Sequence, residues 1–131
     1  MNESIREELA KMKVIHLATS SKEGIPNVVP IGAMFLQDDE TLWIVDNFMK
    51  KTLKNIIENP IAAFDVWVPG EEMSYQIKGV LEYVTSGGDY EKAREWMLAR
   101  KPLPAKGLVK MKFTEIYSVK PGPDAGDLLF K

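Results

Sequence analysis

Turn-forming residues cut the apolar runs of this chain into strand-length pieces, and that pattern limits the fold more than any single motif. Six runs stand out: Val14 to Thr19, Pro26 to Leu36, Leu42 to Val45, Ile61 to Val68, Met73 to Val84 and Leu108 to Val119. Ser20 to Gly24, Gln37 to Thr41 and Pro69 to Glu72 are the polar turns between three neighbouring pairs. Six strands interrupted by only a few helices predict a mainly β fold, a six-stranded antiparallel sheet closed into a small barrel. The polar and apolar alternation by itself leaves barrel and sandwich both open. A chain of 131 residues makes one domain, residues 1–131, with no internal repeat or linker.

Three helices fit between the strands. Ser4 and Glu7 have the spacing of a capping box, and Ile5, Leu9 and Met12 line one face up to about Lys13. Gly87-Gly88-Asp89 opens a helix with Tyr90, Ala93, Trp96, Met97 and Arg100 on one face. Between these lies the segment with the most chemical content, Asp46 to Pro60. The run Leu42 to Val45 stops at Asp46-Asn47, Leu53, Ile56 and Ile57 recur at helical spacing, and Pro60 ends the pattern. Lys50, Lys51 and Thr52 therefore stand at a helix start, where unpaired N–H groups and the positive end of the dipole favour an anion. Two readings fit: a phosphate site, or a solvated face with Thr52 as a cap.

Composition removes many functions. Seventeen basic and nineteen acidic residues leave a net charge of −2, which predicts no nucleic-acid or membrane partner. With no cysteine and one histidine, disulfides, thiolate chemistry, a multi-histidine metal site and any triad without His16 are excluded. The first residues carry no basic or strongly apolar leader and no run is long enough to span a membrane, so the expected location is cytoplasmic.

Single residues add little chemistry. His16, within an apolar strand, reads as a packed, hydrogen-bonded side chain, and Asp65 as a carboxylate facing solvent from the outside of a barrel. Lys78 reads as a strand lysine. Pro30 cannot donate to a ladder and Gly32 has no side chain to pack, so the second strand is expected at an edge or bulge that something approaches closely. No carboxylate pair or Ser-His-Asp order is present, no metal site is expected and the catalytic residues are unknown. A reactive group would come from a cofactor.

The order of these pieces resembles the pyridoxamine 5'-phosphate oxidase-like family of FMN-binding split barrels. The segments that carry the resemblance are Ile15 to Thr19 with Gly24-Ile25-Pro26, Val29 to Gly32, Lys50 to Ile56 with Asn59-Pro60, and Gln76 to Gly79. The resemblance implies a split barrel that forms a homodimer, with FMN in the groove between subunits. It implies that Lys50, Lys51 and Thr52 hold the phosphate and that Val29, Pro30, Ile31 and Gly32 lie along the isoalloxazine ring. Val45, Asp46 and Asn47 would border the ring or ribityl chain, and Gln76 and Lys78 would lend polar groups from the fifth strand. The implied activity is that of an FMN-dependent oxidoreductase, supplied by a reduced nicotinamide or a redox partner protein. A non-catalytic FMN electron carrier, or a barrel binding a deazaflavin or haem with His16 as ligand, are the alternatives. The tail from Asp124 to Lys131 lacks the arginine with which the true oxidases hold pyridoxal phosphate.

Overall fold

The computed structural model describes residues 3–130. Met1, Asn2 and Lys131, which belong to the leader and tail segments considered above, lie outside them. The elements are α1 (Glu3–Ala10), β1 (Ile15–Ser20), β2 (Pro26–Ile31), β3 (Met34–Asp38), β4 (Thr41–Asp46), α2 (Lys51–Glu58), β5 (Ile61–Trp67), β6 (Ser74–Val84), α3 (Gly88–Leu98), β7 (Gly107–Ser118) and β8 (Leu128–Phe130). The strands form one antiparallel sheet in the order β2-β1-β5-β6-β7-β4-β3, with β8 added to β7.

The ends of that sheet are consecutive in the chain. Only Gly32 and Ala33 separate β2 from β3, so the first and last strands must meet at one corner and the sheet must curl. Met34 N–H donates to the Gly32 carbonyl at 3.1 Å and Val45 N–H to that of Ala33 at 2.9 Å, which fastens the corner. No β2–β3 ladder forms among the described residues, so the barrel stays split on that side. The expected mainly β antiparallel barrel is therefore present, with eight strands rather than six. The run Pro26 to Leu36 breaks at Gly32-Ala33, and three tail residues add β8.

Alternation along the strands fills the interior. Ile15, Leu17, Ile44, Phe64, Val66, Ile77 and Met111 point inward, each 2% exposed or less. Burying each such side chain contributes about 1.5–3 kcal/mol. Helix α1 seals one end with Ile5 and Leu9. Ser4 lies inside this helix and meets the Tyr75 hydroxyl at 3.1 Å, so it does not act as the expected cap. A second cluster, with Trp43, Val45 and Leu108 against Ala93 and Met97, lies under α3.

The last long strand departs from its expected faces. Simple alternation puts Ile116 opposite Val109, Met111 and Phe113, yet all four are buried in one core. Lys78 pairs with Glu115 while Gly79 pairs with Phe113, so Thr114 is an extra residue and inverts the phase beyond it. The bulge lets β7 leave β4 and take β8 as its neighbour.

Candidate functional site

Helix α2 sits on β1 and β2 through polar contacts. Its buried residues are Thr52, Asn55 and Ile56, whereas Ile57 is 64% exposed, so the inward face is not the apolar stripe its sequence suggests. The strands below explain this. Thr19 Oγ1 accepts hydrogen bonds from Asn55 Nδ2 at 3.1 Å and Asn27 Nδ2 at 3.2 Å. The Asn27 amide also donates to Thr52 Oγ1 at 3.1 Å, and Asn59 donates to the Ser20 hydroxyl at 3.1 Å. Thr52 thus serves the helix–strand joint and makes no helix cap. Lys50, in the cap position, supplies no capping bond, and the first turn holds no acidic residue. The helix start is open and positive.

The turn that delivers this helix is braced from below. Asp46 is fully buried, and its carboxylate accepts the Met49 N–H at 2.9 Å and the Tyr83 hydroxyl at 2.7 Å. Lys106 Nζ lies 4.0 Å from the same carboxylate. Burial of its ring, then the bond to Asp46 and that negative charge, hold the Tyr83 phenol well above its ordinary value of 10.0. Asn47 accepts the Ala105 N–H at 2.9 Å, and the Tyr90 hydroxyl donates to the Ala105 carbonyl at 2.7 Å. These bonds hold Ala105 at φ 47°, a left-handed conformation that alanine rarely adopts.

A cleft of about 790 Å³ opens between this turn, the length of β2 and the end of α3. That volume is within the range of small-molecule sites. Nine of the residues expected at a cofactor line it: Val29, Pro30, Ile31, Gly32, Val45, Asn47, Lys50, Lys51 and Thr52. Asp46 does not, because its carboxylate is consumed beneath the turn. Gln76 and Lys78 do not either. They lie on the outer sheet face, Gln76 opposite Asp65, three strands from Pro30 and about 14 Å away at the usual strand spacing. His16 also projects from that outer face, 61% exposed and 3.5 Å from Asp65, rather than packing inside as expected. Alternation sends Ile15 and Leu17 inward and turns His16 out.

Other lining residues come from afar. Arg100 and Lys101 follow α3, with the Arg100 guanidinium 4.2 Å from the Trp96 ring centroid, and Lys13 lies on the loop before β1. The carbonyl of Lys13 is beside Gly32, where a Cβ would sit 3.6 Å from it. From Asn27, bonded to Thr52, to Gly32 the strand spans about 17 Å. The cleft is therefore positive at both ends, with Lys13, Lys50, Lys51, Arg100 and Lys101 and no Asp or Glu in its lining. Arg100 was visible in the sequence only as a helix-face position, and Lys13 carried no local signal at all. Among the described residues no group of three or more His, Asp or Glu could hold a metal ion, and no helix is long and apolar enough to cross a membrane.

The family described as pyridoxamine 5'-phosphate oxidase matches residues 1–120. The chain belongs to that family. A relative in Methanocaldococcus jannaschii, the uncharacterised protein MJ0282, is 44% identical over 97% of this chain and 89% of its own length. Among solved structures, HupZ of Group A Streptococcus superposes with a TM-score of 0.84 at 25% identity, covering 96% of this chain and 99% of that one. An FMN-binding protein from Syntrophomonas wolfei subsp. wolfei has a TM-score of 0.67 at 20% identity, over 88% of each chain. HutZ, the haem storage protein from Vibrio cholerae, has a TM-score of 0.70 at 16% identity, over 88% of this chain and 92% of that one. These last two likenesses establish the shared fold alone; the first of those proteins is named for FMN and the second for haem.

Proposed function

We propose that this protein binds FMN in the cleft and acts as an FMN-dependent oxidoreductase, assembled as a homodimer. One observation carries the reading: the cleft gathers five cations and no carboxylate in a chain whose net charge is −2. At one end, Lys50, Lys51, the Thr52 hydroxyl and the open N–H groups of α2 would receive the phosphate. Along β2, Val29 to Gly32 offer an apolar bed for a flat ring, with Gly32 allowing close approach of the backbone. The flavin would supply the redox chemistry; the chain's residues bind it, orient it and shield one side from water.

The outer sheet face supports the dimer. Val28, Ile61, Trp67 and Val80 leave 48–64% of their surfaces exposed there, apolar area that a second copy would cover. Val28 and Pro30 belong both to this face and to the cleft wall. A second copy on the face would wall the cleft along β2 and could bring its own Gln76 and Lys78 towards it. Haem is a poorer fit, since the single histidine, His16, is not in the cleft.

The test is an absorption spectrum of the purified protein, repeated after FMN addition and gel filtration. Flavin bands should travel with a dimer. Replacing Lys50, Lys51 and Thr52 together by alanine should weaken FMN binding about a hundredfold or more, from the loss of charge-assisted bonds. Retention of wild-type affinity would remove the phosphate site from the proposal. Oxidation of a reduced nicotinamide faster than with free FMN separates an enzyme from an electron carrier. A Soret band in place of flavin bands would favour haem, and preference for a deazaflavin would change the cofactor while keeping the cleft.

A further inference from the structure

We propose that Phe48 is the residue with which the cleft recognises a planar aromatic ring, and that it sets the preference for a flavin over a non-aromatic phosphate ester. The proposal rests on the FMN reading above and assigns the ring contact within it. Phe48 lines the cleft and leaves 70% of its surface exposed, more than any other large apolar side chain among the described residues.

A lone exposed phenylalanine would be unremarkable on a mobile loop. This one is presented by a pinned backbone. On one side Asn47 is 8% exposed, with its Oδ1 accepting the Ala105 N–H at 2.9 Å and its Nδ2 3.5 Å from Met97 Sδ. On the other, the Met49 N–H donates to buried Asp46 at 2.9 Å, and the Met49 carbonyl accepts Lys106 Nζ at 3.4 Å. Both neighbours are tied down, and the ring belongs to neither core cluster and stacks on no other aromatic ring among the described residues. The chain anchors the backbone of this apolar ring at the rim of the cleft.

Its position suits a ring attached to a phosphate by a short spacer. Phe48 is three residues before Lys51, so the two Cα atoms are at most about 11 Å apart. A ligand anchored by its phosphate at α2 and extended towards the Asn47 end of the cleft would carry its ring past Phe48. An aromatic platform favours a flat π-system by stacking or edge contact, and adds nothing for a phosphate alone.

Wild type, F48A, F48L and F48W would be titrated with FMN, riboflavin and inorganic phosphate, using flavin fluorescence and calorimetry, with sedimentation velocity on the unliganded proteins. F48A should bind FMN and riboflavin about tenfold more weakly, the change expected from an aromatic contact of about 1.4 kcal/mol, and phosphate unchanged. F48W should restore flavin affinity and F48L should not. Unaltered FMN affinity in F48A would overturn the proposal, and so would wild-type affinity in F48L, since bulk alone would then suffice. Dissociation of unliganded F48A into monomers would also overturn it, by making Phe48 an interface residue. A wild-type protein that takes up no FMN removes the FMN reading as well, whereas an F48A protein equal to an FMN-binding wild type removes this assignment only.

Discussion

Removing the Tyr83 hydroxyl takes one donor from a carboxylate that has no access to water. Asp46 is fully buried, and the Tyr83 bond at 2.7 Å is one of two close hydrogen bonds its side chain accepts. A hydrogen bond to a charged group contributes about 1.5–3 kcal/mol, and phenylalanine leaves Oδ2 buried without that donor. A loss of about 2 kcal/mol is the expected result for Y83F. With an unfolding entropy of about 2.1 cal/mol/K per residue, a chain of 131 residues would melt about 7 °C lower. Calorimetry at neutral pH measures this directly. A pH series then isolates the phenol. The folded protein keeps this proton above the phenol's ordinary value of 10.0, while the unfolded chain releases it there. The unfolded state then binds fewer protons, so this contribution is complete below about pH 10 and is lost as pH rises further. The gap between wild type and Y83F should accordingly be constant from pH 7 to 9 and narrow on the alkaline side. A Y83F protein melting within about 2 °C of wild type, or a gap that widens with alkali, would refute the buried-carboxylate argument.

Two further outcomes follow from the joints on either side of the site. T19V should lower stability by about 2 kcal/mol in urea titration and weaken FMN binding, because the amides of Asn27 and Asn55 lose their shared acceptor and α2 loosens on β1. A T19V protein with unchanged midpoint and affinity would show that α2 is held by other contacts. G79A should destabilise by about 1–3 kcal/mol or more, since a Cβ there would meet the Lys112 carbonyl oxygen at 2.4 Å, and backbone cannot rotate away as a side chain can. Hydrogen exchange should show the damage along β6 and β7; protection equal to wild type would mean the bulge absorbs the methyl.

Much of the lining of the cleft is legible in the sequence because its parts are local. A strand ending at Asp46-Asn47, a helix opening on Lys50-Lys51-Thr52 and a strand carrying Pro30 and Gly32 are each short-range signals, and the cleft unites them. Side chains whose partners lie far along the chain carry no such signal. The carboxylate of Asp46 lies beneath the turn because Tyr83 and Lys106 claim it from β6 and from just before β7. His16 looked packed because its neighbours are apolar; the parity of β1 alone turns it outward beside Asp65. The inward face of α2 is partly polar because Asn55 and Thr52 answer to Thr19 on β1 and Asn27 on β2.

By itself the sequence determined most local conformations: where the polar turns interrupt strands, where α2 and α3 begin, and that lysines cluster at one helix start. Those follow from backbone sterics, side-chain periodicity and capping, which act over a few residues. Tertiary structure alone decided which ends of the sheet meet at Gly32-Ala33, that Thr114 bulges and rephases β7, and that Lys13, Arg100 and Lys101 join Lys50 and Lys51 around one cleft. Strand order and register depend on which distant surfaces exclude water together, and no window along the chain contains both surfaces.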